Sequence, residues 1–138
     1  VSPRIACDTN VLVSATLSNG PPRWVLDAVD DGRAELVMLD PVRDELGRVL
    51  RDKLRLGASR AHAILDDLDE LAAQGQPKVS DAMAVTGHRA DDEVLACAVD
   101  AQVDVLVTGD HRHLIPVGTH QGVRILTPQA FLAELAAG

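Results

Sequence analysis

Apolar positions along the chain fall into short blocks with two kinds of spacing. Arg4 to Cys7 is a brief apolar run that stops at Asp8, and the chain resumes apolar at Val11-Leu12-Val13 with neither Gly nor Pro to make a turn. After Gly20-Pro21-Pro22, the residues Val25, Leu26 and Val29 recur at helical spacing until Gly32. Ala34 to Leu39 is too short for a helix and is bounded by Gly and Pro, so it reads as a strand. Pro41 suits the first turn of a helix running to about Leu54. Ser59 is the expected N-cap of the next helix, whose stripe is Ala61, Ile64, Leu65, Leu68, Leu71 and Ala72, with Gly75 and Pro77 as its stop. Residues 76–90 carry the weakest pattern, and a strand is expected within Lys78 to Val85. A helix from near Asp91 carries Leu95, Ala98 and Val99. Val103 to Val107 and Val123 to Leu126 read as strands, and Pro128 to Ala136 as the last helix.

Strands separated by helices of this length predict an α/β domain with a parallel sheet covered on both faces. The 138 residues suit a single unit over 1–138. There is no internal repeat or linker.

Composition narrows the function more than the fold. The apolar share of 46% comes mostly from Ala, Val and Leu, with Trp24 and Phe131 the only aromatic residues. Base-stacking platforms for single strands are therefore scarce. The formal charge is −8, from 13 Lys plus Arg against 21 Asp plus Glu, which excludes a general nucleic-acid coat. Cys7 and Cys97 sit in apolar runs and read as buried thiols, with neither a disulfide framework nor zinc spacing. No apolar run reaches membrane-spanning length and no signal-peptide pattern opens the chain, so a cytoplasmic location without membrane contact is expected.

Position distinguishes a few acids from the rest. Ligands of open parallel sheets bind beyond the carboxyl ends of the strands, and Asp8 and Asp110 each follow one. Either could be an ordinary turn residue, more plausibly Asp110 beside Gly109. Glu45 lies between Val42 and Val49 at the edge of its helix's apolar stripe, whereas Asp44 lies farther out; an ion pair with Arg48 is the plainer alternative. In Ala90-Asp91-Asp92-Glu93, capping accounts for acids in a first turn. Asp92 precedes Leu95 and Ala96 by three and four residues, which aims it coreward, and a small change of helix start would aim Asp91 there instead. Carboxylates gathered at one rim need cations between them, and oxygen ligands suit Mg²⁺ or Mn²⁺. Such ions orient an attacking water and stabilise a leaving oxygen, which is phosphodiester chemistry.

Asp8-Thr9-Asn10-Val11-Leu12-Val13-Ser14-Ala15, the Glu45 helix entered through Leu39-Asp40-Pro41, Asp92-Glu93-Val94-Leu95-Ala96 and Leu106-Val107-Thr108-Gly109-Asp110 follow the order seen in PIN domains. The chain resembles that family from about Arg4 to Leu135, and is similar to its bacterial toxin group, the VapC-type ribonucleases. The resemblance implies a three-layer α/β/α sandwich around a mainly parallel sheet. It also implies a Mg²⁺- or Mn²⁺-dependent endoribonuclease, toxic and checked by a small antitoxin protein, with homodimers common. By position Asp8, Glu45, Asp92 and Asp110 match the acidic quartet, with Asp91 an alternative to Asp92. Thr9, Asn10 and Thr108 match supporting polar positions. His111-Arg112-His113-Leu114 departs from the charged pair that relatives often carry.

The remaining features admit two readings each. Arg43, Arg48, Arg51, Lys53, Arg55 and Arg60 concentrate positive charge, and Arg48, Arg51 and Arg55 share one helical stripe, either a ridge contacting RNA phosphates or a solvated face. Arg112 is a further RNA contact. His111 and His113 read as contacts to RNA or a partner, since no nearby His or Cys completes a nitrogen-rich metal site. Trp24 reads as a packing anchor. Three rival functions are weaker. A non-catalytic PIN-like module would not need the acids. A receiver domain needs a Lys where none stands, and a dehalogenase-type phosphatase needs an acid in place of Asn10.

Overall fold

The computed structural model describes residues 2–76 and 88–138. Strand β1 (Arg4–Cys7) leads into helices α1 (Thr9–Leu17) and α2 (Pro21–Asp30), followed by β2 (Glu35–Leu39) and α3 (Asp40–Arg48). A π-helical turn at Val49–Lys53 extends α3 and precedes α4 (Ala58–Leu71), which runs into β3 (Ala72–Gln76). Helix α5 (Arg89–Asp100), β4 (Val105–Val107), a 3₁₀ turn at Ile115–Val117, β5 (Thr119–His120), β6 (Val123–Leu126) and α6 (Pro128–Ala137) complete the order.

The six strands line up as β3-β2-β1-β4-β6-β5, all parallel except the β5–β6 pair. This is the predicted α/β sandwich with a mainly parallel sheet. The chain builds outward from β1 through β2 to β3, then returns to lay β4 on the other side of β1. Loops leaving β1 and β4 therefore diverge and open a crevice between them, the usual ligand site of such sheets. Ile5, Leu36 and Leu106 are fully enclosed in the core. Truncating one of them to Ala would cost roughly 2–5 kcal/mol.

Several expectations need correction. Helix α4 ends at Leu71, short of Gly75 and Pro77. At Ala72 the backbone turns extended (φ −80°, ψ 143°), and the next residues pair with β2. Covering the open edge of β2 with ladder hydrogen bonds outweighs continuing the stripe through Ala72. The strand expected in Lys78 to Val85 lies outside the described residues. Gly57, not Ser59, is the N-cap of α4, and no side chain caps it. Trp24 is 53% exposed rather than enclosed; the enclosed aromatic is Phe131. Helix α1, the 3₁₀ turn and β5 were not foreseen, because their apolar residues are too few or too continuous to set a period.

Candidate active site

The site starts where β1 ends. The backbone N–H of Asp8 donates to the Val107 carbonyl at 2.8 Å, which carries the β1–β4 ladder one residue past the strand. Asp8 is thereby fixed at the crevice and becomes the N-cap of α1, its Oδ1 accepting from the Thr9 N–H at 2.9 Å. The Thr108 hydroxyl, one residue past β4, donates to Asp8 Oδ2 at 3.0 Å. The same hydroxyl oxygen accepts the Asp110 N–H, also at 3.0 Å. One buried threonine thus ties the two strand-end acids together. A neutral hydroxyl beside a carboxylate donates and accepts at once, which explains a Thr at this position. Thr9 is 2% exposed, and its own hydroxyl has no hydrogen-bond partner among the described residues.

Asp110 is held by a tight turn. Its Oδ1 accepts the N–H groups of Arg112 and His113, both at 2.9 Å, leaving Oδ2 turned to the His113 ring. These two backbone donors, joined by the His113 side chain, outweigh the desolvation that opposes them and lower the Asp110 pKa.

The acids of α5 are sorted by where that helix begins. It starts at Arg89, two residues ahead of the expected Asp91, with His88 as N-cap and no side-chain cap. Its start turns Asp91 into a cleft of about 110 Å³ lined also by Asp8, Asp44, Glu45, Arg48 and Glu93. Asp92 is 6% exposed and does not line that cleft. Of the two neighbouring acids, the geometry therefore brings Asp91 to the others.

Helix α3 supplies Glu45 to the same cleft. Glu45 makes no ion pair with Arg48 and accepts no hydrogen bond among the described residues, although both side chains line the cleft. Asn10 is exposed on α1, one residue beyond Thr9.

Negative charges converge here, with Arg48 a basic side chain on the cleft wall. Burial above all pushes the Asp8 carboxyl up to about 6, with Asp91 and Glu45 adding repulsion against the lowering by Thr108 and Thr9. Burial also raises Asp91, and Asp110 and Glu45 push it further. Asp8, Glu45, Asp91 and Asp110 thus form one electrostatically coupled group. Asp91, Asp110 and His113 each offer a ligand atom within 4.8 Å of the others. This set of mutually repelling carboxylates fits a divalent cation, which would relieve the repulsion.

The basic positions behave differently from one another. Arg43 is engaged by Asp69 through a two-pronged contact, its shortest bond 2.8 Å. Arg48 is exposed and borders both the acidic cleft and an adjoining groove formed with Val49, Asp52 and Lys53. The π-helical turn interrupts the register that would align Arg48, Arg51 and Arg55, and Arg55 adopts a left-handed φ of 53°. Arg51 and Arg112 are exposed. Cys7 and Cys97 are buried and free of disulfides, and burial pushes the Cys7 thiol up to about 12, with the Asp8 charge adding to it. His113, expected from the sequence as a contact to RNA or a partner, stands against Asp110 and Asp91. The signal was its spacing from Asp110, since a turn three residues long returns the ring over the carboxylate it follows.

Among the described residues no helix is long and apolar enough to cross a membrane. No curated protein matches the chain. A family model described as the PIN domain matches residues 4–112, from the first strand through the Asp110 turn. The chain belongs to the PIN-domain family.

Proposed function

We propose that this chain is a metal-dependent endoribonuclease that hydrolyses RNA phosphodiester bonds and serves as the toxin of a toxin–antitoxin pair. PIN domains are in general metal-dependent nucleases that act on RNA. The observation that carries the reading for this chain is the coupled group Asp8, Glu45, Asp91 and Asp110 at the sheet's crevice. Those four carboxylates would hold Mg²⁺ or Mn²⁺, with Asp91 taking the role expected of Asp92. When bound, the ion supplies Lewis-acid polarisation of the phosphate and stabilises the departing oxygen.

The protein's own groups divide the remaining work. Asp8 is anchored by two accepted hydrogen bonds and keeps the site rigid. Glu45, which lines the cleft beside Asp8 and Asp91, would be within reach of a water held there and could take up its proton. Arg48 at the cleft wall would draw in a phosphate, with Arg51, Arg55 and Arg112 as further contacts along the RNA. Thr9, Asn10 and Thr108 orient the acids. The antitoxin partner and homodimerisation rest on the family resemblance.

The test is to incubate the purified chain with unstructured and structured RNA in Mn²⁺, in Mg²⁺ and in chelator. Internal cleavage that needs the ion and disappears in Asp8→Asn is expected. Cleavage unaffected by chelator would refute the metal mechanism. Intact RNA under every condition, with Mn²⁺ still bound, would favour a non-catalytic RNA-binding module. For the toxin role, induced wild type should arrest bacterial growth while Asp8→Asn should not.

A further inference from the structure

The Asp110 turn places an imidazole against two of the acids. His113 Nδ1 lies 3.3 Å from Asp110 Oδ2 and 3.5 Å from Asp91 Oδ2. A hydrogen bond between charged partners would draw these atoms to about 2.7–2.9 Å. One N–H also carries a single hydrogen, which cannot point well at two acceptors at once. The separations match something else. Two ligand atoms on bonds of about 2.1 Å to a common ion lie about 3.0 Å apart at a right angle and about 3.4 Å apart at a tetrahedral angle. The nitrogen thus stands at about that spacing from each carboxylate oxygen, and the ligand atoms of the three residues all lie within 4.8 Å of one another.

The ring is also held. His88, at the start of α5, stacks on His113 with centroids 4.9 Å apart and planes 29° from parallel. His88 Nδ1 lies 3.4 Å from Asp91 Oδ2, so the pair brackets that carboxylate. The backbone N–H of His113 is independently fixed to Asp110 Oδ1. The turn and the stack thus both hold the ring in place.

We infer that His113 Nδ1 is a metal ligand alongside Asp91 and Asp110, which makes this site select Mn²⁺ over Mg²⁺. The inference rests on the metal-dependent reading above and adds to it a nitrogen donor and an ion preference. Mg²⁺ favours all-oxygen shells and releases its waters reluctantly. Mn²⁺ also takes oxygen ligands but accepts an imidazole nitrogen more readily than Mg²⁺ does, and the later first-row ions accept it more readily still. His88 acts through His113 as a positioning residue.

The experiment uses the full chain and MnCl₂ as the probe. Pulsed electron paramagnetic resonance of bound Mn²⁺ should show coupling to a ¹⁴N nucleus, and that coupling should vanish in His113→Phe. The phenyl ring retains the stack, and residue 113 keeps its backbone hydrogen bond, so the turn is preserved. Calorimetric titration should find Mn²⁺ affinity reduced about tenfold or more in the variant and Mg²⁺ affinity changed much less. Bound Mn²⁺ without nitrogen coupling in the wild type would overturn the inference and leave the nuclease reading standing, and this measurement needs no variant to fold. Equal losses for both ions in His113→Phe would overturn the selectivity. Wild type that binds neither ion would overturn both readings together.

Discussion

Replacing Asp8 by Asn should stabilise the metal-free protein at neutral pH while abolishing its ion binding. Asp8 is 7% exposed, and burial is the main reason its carboxyl is pushed from 3.8 up to about 6. At about 1.4 kcal/mol per pH unit, ionised Asp8 costs the fold about 3 kcal/mol once the pH is well above 6. The sign follows from proton counts. Between the unfolded and folded values the native state holds more protons than the unfolded chain. This group therefore weakens the fold as pH rises from about 4 to about 6, and its effect is constant above that. Asn carries no charge and caps a helix about as well as Asp. Its amide nitrogen takes the place of the oxygen that accepts the Thr108 hydroxyl, so that bond must reverse or be lost, a cost of up to about 1 kcal/mol. The variant should gain about 2 kcal/mol at pH 7.5 in chelator and lose up to about 1 kcal/mol near pH 4, with a crossover between. Urea unfolding followed by circular dichroism across that range measures it. Mn²⁺ should reverse the order at pH 7.5, since only the wild type gains binding free energy, about 2.7 kcal/mol at a hundredfold excess over its Kd. A variant less stable than wild type at pH 7.5 in chelator, or a difference that does not change with pH, would refute the reasoning.

Other substitutions separate the neighbouring roles. Asp91→Asn should lower Mn²⁺ affinity at least tenfold by calorimetry, whereas Asp92→Asn should reduce stability and leave that affinity within about threefold. Thr108→Val removes the donor to Asp8 and the acceptor for the Asp110 N–H, so it should cost roughly 1–3 kcal/mol. Because the Thr108 bond lowers the Asp8 pKa, the same variant should move it above 6, read by carboxyl-carbon nuclear magnetic resonance. Arg48→Ala, combined with Asp8→Asn to prevent cleavage, should weaken single-stranded RNA binding and reduce the log–log salt slope by about 0.7, the value for one phosphate contact.

Much of the architecture could be read because strand ends leave strong marks. Apolar runs that stop at Asp8 and at Thr108 locate β1 and β4, and parallel-sheet geometry then makes those ends neighbours. Helix boundaries were harder. The start of α5 depends on His88 and Arg89, neither of which has a marked preference for a helix start, and two residues of error exchange Asp91 for Asp92. The end of α4 depends on an unpaired edge of β2, a long-range need that no local window contains. The surroundings of His113 show a related limit. Its neighbours are one acid three residues back and another on α5, and only the fold reveals the second.

The hydrogen bond from Thr108 to Asp8 spans 100 residues of chain. Strand β1 and its acid leave the ribosome well before Thr108 does. Until Asp91, Thr108 and Asp110 emerge, the nascent chain cannot bring the four acids together. Fragments ending ahead of Thr108 would lack the link, so the crevice assembles only after both of its ends have been made.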